Sequence, residues 1–208
     1  KHLSELAGLV SKIELTCPSG TVRHTSVSSM EGGQESYMPV KSLDQLYVQA
    51  VCMDHILRAK SQSWASASEG YFPSSETSPS EGKSKSYISW RECASSGNEQ
   101  TQIKWARLKS VSRAIEKIGR CYGGEVSFLL DICRQAIIFD NTSSLIKCLA
   151  AIHSDSDTTI LRVKNRLDMF YDASSSAGYR DVLVNLTVRT DETLDLGVAG
   201  LVCEVQLR

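Results

Sequence analysis

The chain has 208 residues, 41% of them hydrophobic and 23% charged, and 23 Lys plus Arg against 24 Asp plus Glu leave a formal net charge of -1. That length suffices for one domain, or one and a fraction, with a genuine core. The composition excludes wholesale disorder, a uniformly basic nucleic-acid-coating protein and a polyacidic tail. No stretch approaches the run of about eighteen apolar residues that a bilayer-spanning helix needs.

Leu3, Leu6, Ala7, Val10 and Ile13 recur at helical spacing and predict a short first helix, which Cys17-Pro18-Ser19-Gly20 ends. A loop with Gly32 and Gly33 follows. Ser42 is the expected N-cap of a longer helix carrying Leu46, Ala50, Met53, Ile56 and Leu57. Residues 66–86 are Ser, Glu, Gly, Pro and Lys with few aliphatics, as in a solvated linker. All four prolines lie in the first eighty residues and serine crowds between Ser61 and Ser96. Three regions result: a helical, loop-rich stretch over 1–65, a Ser-rich loop over 66–102, and continuous secondary structure over 103–208.

Residues 103–120 predict the strongest helix, with Leu108, Val111, Ile115 and Ile118 on one stripe. Lys109, Arg113, Lys117 and Arg120 form a neighbouring basic stripe, and Cys121-Tyr122-Gly123-Gly124 stops the helix. The apolar run 127–139 predicts a strand in its later part, with a helical turn before it. Leu145, Ile146, Leu149 and Ile152 predict another helix, capped by Asn141 or Thr142. Three half-buried strands close the chain. Arg162, Lys164 and Arg166 share one face of the first, Val182 to Val188 alternate with polar residues in the second, and Leu201 to Leu207 do so in the third. The last two are expected to pair around the turn at 190–197. The order predicts an α+β domain, a mixed β-sheet flanked by helices.

Cysteine and histidine are uninformative as metal ligands. The seven cysteines and four histidines are scattered and form no C-x-x-C pair, so neither a zinc site nor a disulfide framework is expected. The reading is of reduced, intracellular thiols packed as small hydrophobes. Glycosylation triplets begin at Asn141 and Asn185, the second inside a strand-like run, and are read as chance occurrences. The chain opens on Lys1 without a signal-peptide pattern, which predicts a processed or truncated piece.

Lys109, Arg113 and Lys117 are expected to line a groove floored by Arg162, Lys164 and Arg166, a cluster suited to nucleotide phosphates. Asp131 in an apolar run and Glu204 on a polar strand face would share Mg²⁺, an ion commonly held by one or two carboxylates plus substrate phosphates. Tyr179, after the segment Ser174-Ser175-Ser176-Ala177-Gly178, offers a ring on which a base can stack. The competing, plainer reading is that the basic stripe and polar sheet face are simply solvated.

Arg107-Leu108-Lys109, Lys117, Asp131-Ile132-Cys133-Arg134, Gly178-Tyr179-Arg180-Asp181 and Glu204-Val205-Gln206-Leu207-Arg208 occur in that order. Together they resemble the RelA/SpoT (p)ppGpp synthetase domain over residues 103–208. The resemblance implies a nucleotidyltransferase-like fold and transfer of pyrophosphate from ATP to the 3′-hydroxyl of GDP or GTP. It implies that Asp131 binds Mg²⁺ and that Glu204 helps hold it or activates the hydroxyl. Arg107, Lys109 and Lys117 would grip ATP phosphates, and Tyr179 would stack on guanine. Two positions depart from the family pattern: Leu183 stands where it has His, and Ala136 where it has Arg. The alternative is a catalytically inactive domain of that fold, acting as a scaffold subunit that contacts protein or RNA.

Overall fold

The computed structural model describes residues 2–29, 35–75, 87–96, 102–176 and 178–208, and in it the chain folds as α+β around a mixed four-stranded sheet. The expected Gly32-Gly33 loop, residues 76–86 and 97–101 of the Ser-rich stretch, and Ala177 lie outside the described residues. Helix α1 (His2–Thr16) leads into a ribbon of β1 (Thr25–Ser29) and β2 (Glu35–Pro39). Helix α2 (Leu43–Ser68) leads into a second ribbon, β3 (Tyr71–Pro73) with β4 (Tyr87–Ser89), and then α3 (Trp90–Ser96). The rest alternates: α4 (Val111–Tyr122), β5 (Arg134–Ile137), α5 (Thr142–Ser154), β6 (Thr158–Asn165), β7 (Val182–Val188), α6 (Asp191–Asp195) and β8 (Cys203–Leu207).

The helix starts follow the caps in the sequence. The Ser42 and Asn141 side chains accept hydrogen bonds from the Gln45 and Ser144 backbone N–H groups, satisfying donors that α2 and α5 leave open. At the end of α2, Gly70 passes so close to β5 that a Cβ there would meet Ile137 Cγ2 at 2.5 Å. Glycine is what lets this helix end against the sheet.

The strand order is β5-β8-β7-β6, with β5 and β8 parallel and the other neighbours antiparallel. One face is aliphatic: Ile137, Leu207 and Val182 align across the strands, as do Val205, Val184 and Val163. Helices α1, α2 and α5 cover this face with Leu6, Val10, Ile13, Met53, Leu57, Leu149 and Ile152, all in one core with the strands. Each fully buried aliphatic side chain contributes about 1.5–3 kcal/mol of transfer free energy. Phe72 is buried between Trp90 and Trp105, with ring centroids at 6.1 and 5.0 Å, and anchors the β3–β4 ribbon.

The stretch expected as a solvated Ser-rich loop over 66–102 is in part folded, since α2 runs to Ser68 and β3, β4 and α3 lie within it with Phe72 buried; two further expectations are corrected. The helix predicted over 103–120 begins only at Val111. Lys104, Arg107 and Lys109 would have crowded cations onto a helix N-terminus, where the macrodipole opposes them. The segment before α4 instead finds its hydrogen bonds elsewhere: Lys104 N–H donates to Pro73 O, Ala106 N–H to Gln135 Oε1, and Lys109 N–H to Ile132 O. Second, β7 and β8 are not half-buried. Asn185 and Glu204 on their polar side are as enclosed as the aliphatics opposite them, which gives the polar face a burial cost that alternation alone does not reveal. Among the described residues, no helix is long and apolar enough to cross a membrane. All seven cysteines are free thiols.

Candidate functional site

Strand pairing lays the polar side chains out in rows across the second sheet face. Arg134, Glu204, Asn185 and Arg162 are successive cross-strand neighbours from β5 to β6. Ala136, Gln206, Leu183 and Lys164 form the next row. Beyond them Arg166 donates its backbone N–H to Asp181 O and its guanidinium to the Asp181 carboxylate at 2.9 Å.

Asp131 stands at the β5 edge of this face. It precedes β5, just after the short 3-10 turn Val126–Phe128. Its Oδ2 accepts from Lys109 Nζ at 2.6 Å and from Lys117 Nζ at 3.0 Å. The lysines arrive from different elements, Lys117 from α4 and Lys109 from the extended segment before it. That segment is pinned by the Ile132 carbonyl and by the Tyr47 hydroxyl of α2, which donates to Lys109 O. Burial pushes the Asp131 carboxyl up, but the two ammonium groups outweigh it and hold its pKa below the ordinary value. Lys117 is the mirror image: burial pulls it down, the Asp131 charge overcomes that, and its pKa is raised. The other carboxylate oxygen of Asp131, Oδ1, is buried without a hydrogen-bond partner.

Glu204 behaves oppositely. Burial raises its pKa, and the nearby Asp131 charge raises it further against a hydrogen bond from Gln206 Nε2 at 2.6 Å. Gln206 also accepts from the Arg208 guanidinium. The Lys164 ammonium is lowered by burial first, then by the positive charges of Arg162 and Arg166. Arg162 donates twice to Asn185 Oδ1, at 3.1 and 2.7 Å, while Asn185 Nδ2 and Asp181 Oδ2 are buried without hydrogen-bond partners. The Tyr179 ring lies under the Arg208 guanidinium at 5.1 Å and is 38% exposed.

Of the expected residues, Asp131, Lys109, Lys117, Glu204, Arg162 and Lys164 therefore share one charged face, with Tyr179 next to Arg208 at its end. Arg107 is exposed two positions before Lys109. Asn185, Asp181 and Gln206 belong to the cluster but were not singled out as site residues. A lone Asn among the aliphatics of β7 was the signal available for the first of them. Chemically, the face offers one carboxylate held as an anion at Asp131, two carboxyls that burial biases toward their protonated form at Glu204 and Asp181, and several cations. Among the described residues no three His, Cys, Asp or Glu side chains come together as a metal site.

Comparison with protein families and with curated proteins finds no match. Among solved structures the chain is similar to one in the crystal structure of the complex between the Type VI effector Tas1 and its immunity protein, at 19% identity and a TM-score of 0.46. The match covers 82% of this chain and 63% of that one, so this chain spans less than two thirds of the length of its neighbour.

Proposed function

We propose that this chain is a RelA/SpoT-like domain of nucleotidyltransferase type, whose polar sheet face binds nucleotide phosphates and supports pyrophosphate transfer from ATP to the 3′-hydroxyl of GDP or GTP. The observation that carries the reading is the divergence of its two carboxyl groups. Asp131 is held ionised by Lys109 and Lys117, while Glu204, close enough to feel that charge, has its pKa raised. Neighbouring carboxyls pushed apart in this way are suited to two roles, a fixed anion and a proton acceptor.

Asp131 is suited to Mg²⁺, because its Oδ1 is a buried acceptor lacking a donor, and Glu204 is near enough to feel its charge. Asp131 would hold the ion, leaving Glu204 for the hydroxyl, and the ion when bound would supply charge neutralisation across phosphate oxygens. The chain's own groups do the rest. Lys109, Lys117 and Arg107 bind ATP phosphates, and Arg162 and Lys164 draw the second nucleotide's phosphates onto the sheet. Tyr179, stiffened by Arg208, stacks on its base. Glu204 takes the proton of the attacking hydroxyl. Positioning and charge neutralisation account for most of such a reaction's acceleration.

A second reading is favoured by one row of the sheet. Ala136 and Leu183, the two departures from the family pattern, flank Gln206 in the same row. Lys109 and Lys117 are moreover both already paired with Asp131. Such a face is that of an inactive scaffold domain. Calorimetric titration of ATP and GDP with Mg²⁺ into the chain, its Asp131→Asn and its Lys117→Gln variants separates these. Binding by the parent and a loss of tenfold or more in each variant, about 1.4 kcal/mol, is the expected result. A folded parent that binds neither nucleotide overturns the nucleotide reading. Binding without pyrophosphate transfer by phosphorus NMR leaves the scaffold reading.

A further inference from the structure

The connection from β6 to β7 carries the most exposed large apolar side chain among the described residues, Phe170 at 90%, beside Met169 at 74%. A single apolar residue in water is ordinary on a protein surface. What sets this one apart is how firmly its backbone is held. Asn165 Oδ1 accepts from Leu167 N–H at 3.1 Å and Asp168 Oδ1 from Phe170 N–H at 2.8 Å, while Tyr171 N–H donates to Asp168 O at 3.1 Å. Leu167 packs onto the core. From the far side of the connection the Arg180 guanidinium donates to the carbonyls of Asp168 at 3.1 Å and of Arg166 and Tyr171 at 3.4 Å. An arginine fork thus closes around main-chain carbonyls and latches the turn that displays Phe170.

The turn borders the charged face. Tyr171 is near enough to act electrostatically on the Lys164 ammonium, and Arg180, which clasps the turn, directly follows Tyr179. An aromatic ring in water is therefore brought to the end of the face where Lys164 and Tyr179 stand. A nucleotide has the same division, with phosphates that seek cations and a base that seeks a flat ring. A protein partner fits worse, because a standard interface takes about 20–30 residues a side and Met169-Phe170 is an isolated pair between Asp168 and Asp172. Those two carboxylates also repel phosphate, so the base and not the phosphate end of a nucleotide suits this turn.

Resting on the nucleotide reading above, we infer that Phe170 is a base-stacking residue of the acceptor-nucleotide site, its ring lying against the guanine of the GDP or GTP whose phosphates Arg162 and Lys164 draw onto the sheet. Every base has a π face, so Phe170 adds affinity and orientation without choosing among bases. The turn is latched before the nucleotide arrives, so little freedom is lost on binding. Arg180 is the positioning residue of this arrangement.

The test is calorimetry with Mg²⁺ using two probes, GDP and ribose 5-diphosphate, which is GDP without its base. Phe170→Ala and Phe170→Leu should each weaken GDP by about tenfold or more and leave the base-free probe unchanged. Phe170→Trp should bind GDP at least as tightly as the parent, and the fluorescence that this substitution adds should be quenched by GDP and not by ribose 5-diphosphate. Arg180→Met should weaken GDP by about threefold, through the freedom restored to the turn. Phe170 is exposed, so its variants should unfold in urea with the parent, which separates lost stacking from lost fold. Equal GDP binding by the parent and Phe170→Ala overturns the inference and leaves the nucleotide reading standing. So do equal losses of both probes in Phe170→Ala, or a parent that binds GDP no more tightly than ribose 5-diphosphate. A folded parent that binds neither probe overturns the nucleotide reading and this inference with it.

Discussion

The two faces of the central sheet are held by opposite physics, one buried throughout and the other enclosed only at its centre. On one, Val182, Val184, Leu186, Val205 and Leu207 meet the helices α1, α2 and α5. On the other, Asn185, Asp181 and Glu204 are enclosed with Arg162, Lys164 and Arg166 around them. The first face releases apolar surface from water and stabilises the fold. The second takes charges and amides out of water and leaves some of them unmatched, at Asp131 Oδ1, Asp181 Oδ2 and Asn185 Nδ2. Interior charge of this kind is poor value as a structural device. That is the physical reason to look there for recognition or chemistry.

The sharpest way to break this comparison is a pair of neighbouring substitutions in β7. Leu186→Ala removes a fully buried aliphatic from the helix-covered face and should cost about 3–5 kcal/mol, read from urea unfolding. Asn185→Leu removes a buried amide whose Nδ2 is unmatched. It should cost less, about 1–2 kcal/mol, because the amide was only half satisfied and the Arg162 guanidinium that loses its acceptor is half-buried and can turn to water. Equal costs at the two positions would show that the polar face is as much a stabilising core as the other.

Asp131→Ala tests the edge of the polar face. It strands two lysines and should cost about 3 kcal/mol, the low end for a broken buried pair, because Lys117 is one third exposed and water screens its share. The double variant with Lys109→Met should recover part of that loss. A double variant no more stable than Asp131→Ala would mean that the lysines hold the fold through packing, not charge.

Acid tests a third place, where the β1 ribbon enters the fold. His24 is fully buried, its Nδ1 accepting from Val202 N–H at 3.0 Å and its Nε2 donating to Leu129 O at 2.9 Å, and burial pushes its pKa down to about 4. Between its unfolded value near 6.5 and about 4, the unfolded chain binds the proton and the folded one does not. His24 therefore contributes stability that is complete above pH 6.5 and drains away as pH falls to 4, by up to roughly 3 kcal/mol. In His24→Gln this part of the pH dependence should flatten. An unchanged slope would assign acid sensitivity to the carboxylates instead.

How much of this was legible in the sequence follows the same division. The aliphatic face was, because Val182 to Val188 and Cys203 to Leu207 alternate as pleated strands must, and Ser42 and Asn141 mark helix starts by their own hydrogen bonds. The order of charged motifs placed Asp131, Lys117 and Glu204 near one another. What local pattern could not show is long-range supply of hydrogen bonds. The segment holding Lys109 keeps helical spacing but bonds to Pro73, Ile132 and Gln135. Arg23 and Arg189, which line one cavity beneath the β1–β2 ribbon, are 166 positions apart in the sequence. No periodicity records such a meeting; it comes from the β1 ribbon folding over the sheet.

The smallest effect is also the most discriminating, since it has the opposite sign to ordinary carboxylate behaviour. Burial and the Asp131 charge raise the Glu204 pKa above its unfolded value, so the folded chain holds a proton that the unfolded chain releases. Stability from this group is present at low pH and lost as pH rises through the folded pKa. Glu204→Gln keeps the shape and removes the charge, so at neutral pH it should raise Tm slightly, while abolishing transfer if Glu204 is the proton acceptor of the proposed reaction. Asp131→Asn, whose parent carboxylate is stabilised as an anion, should lower Tm at the same pH. Two isosteric amides in one corner of the sheet thus move stability in opposite directions. If both lower it, Glu204 is a satisfied structural anion, and the division of labour between the two carboxyl groups disappears.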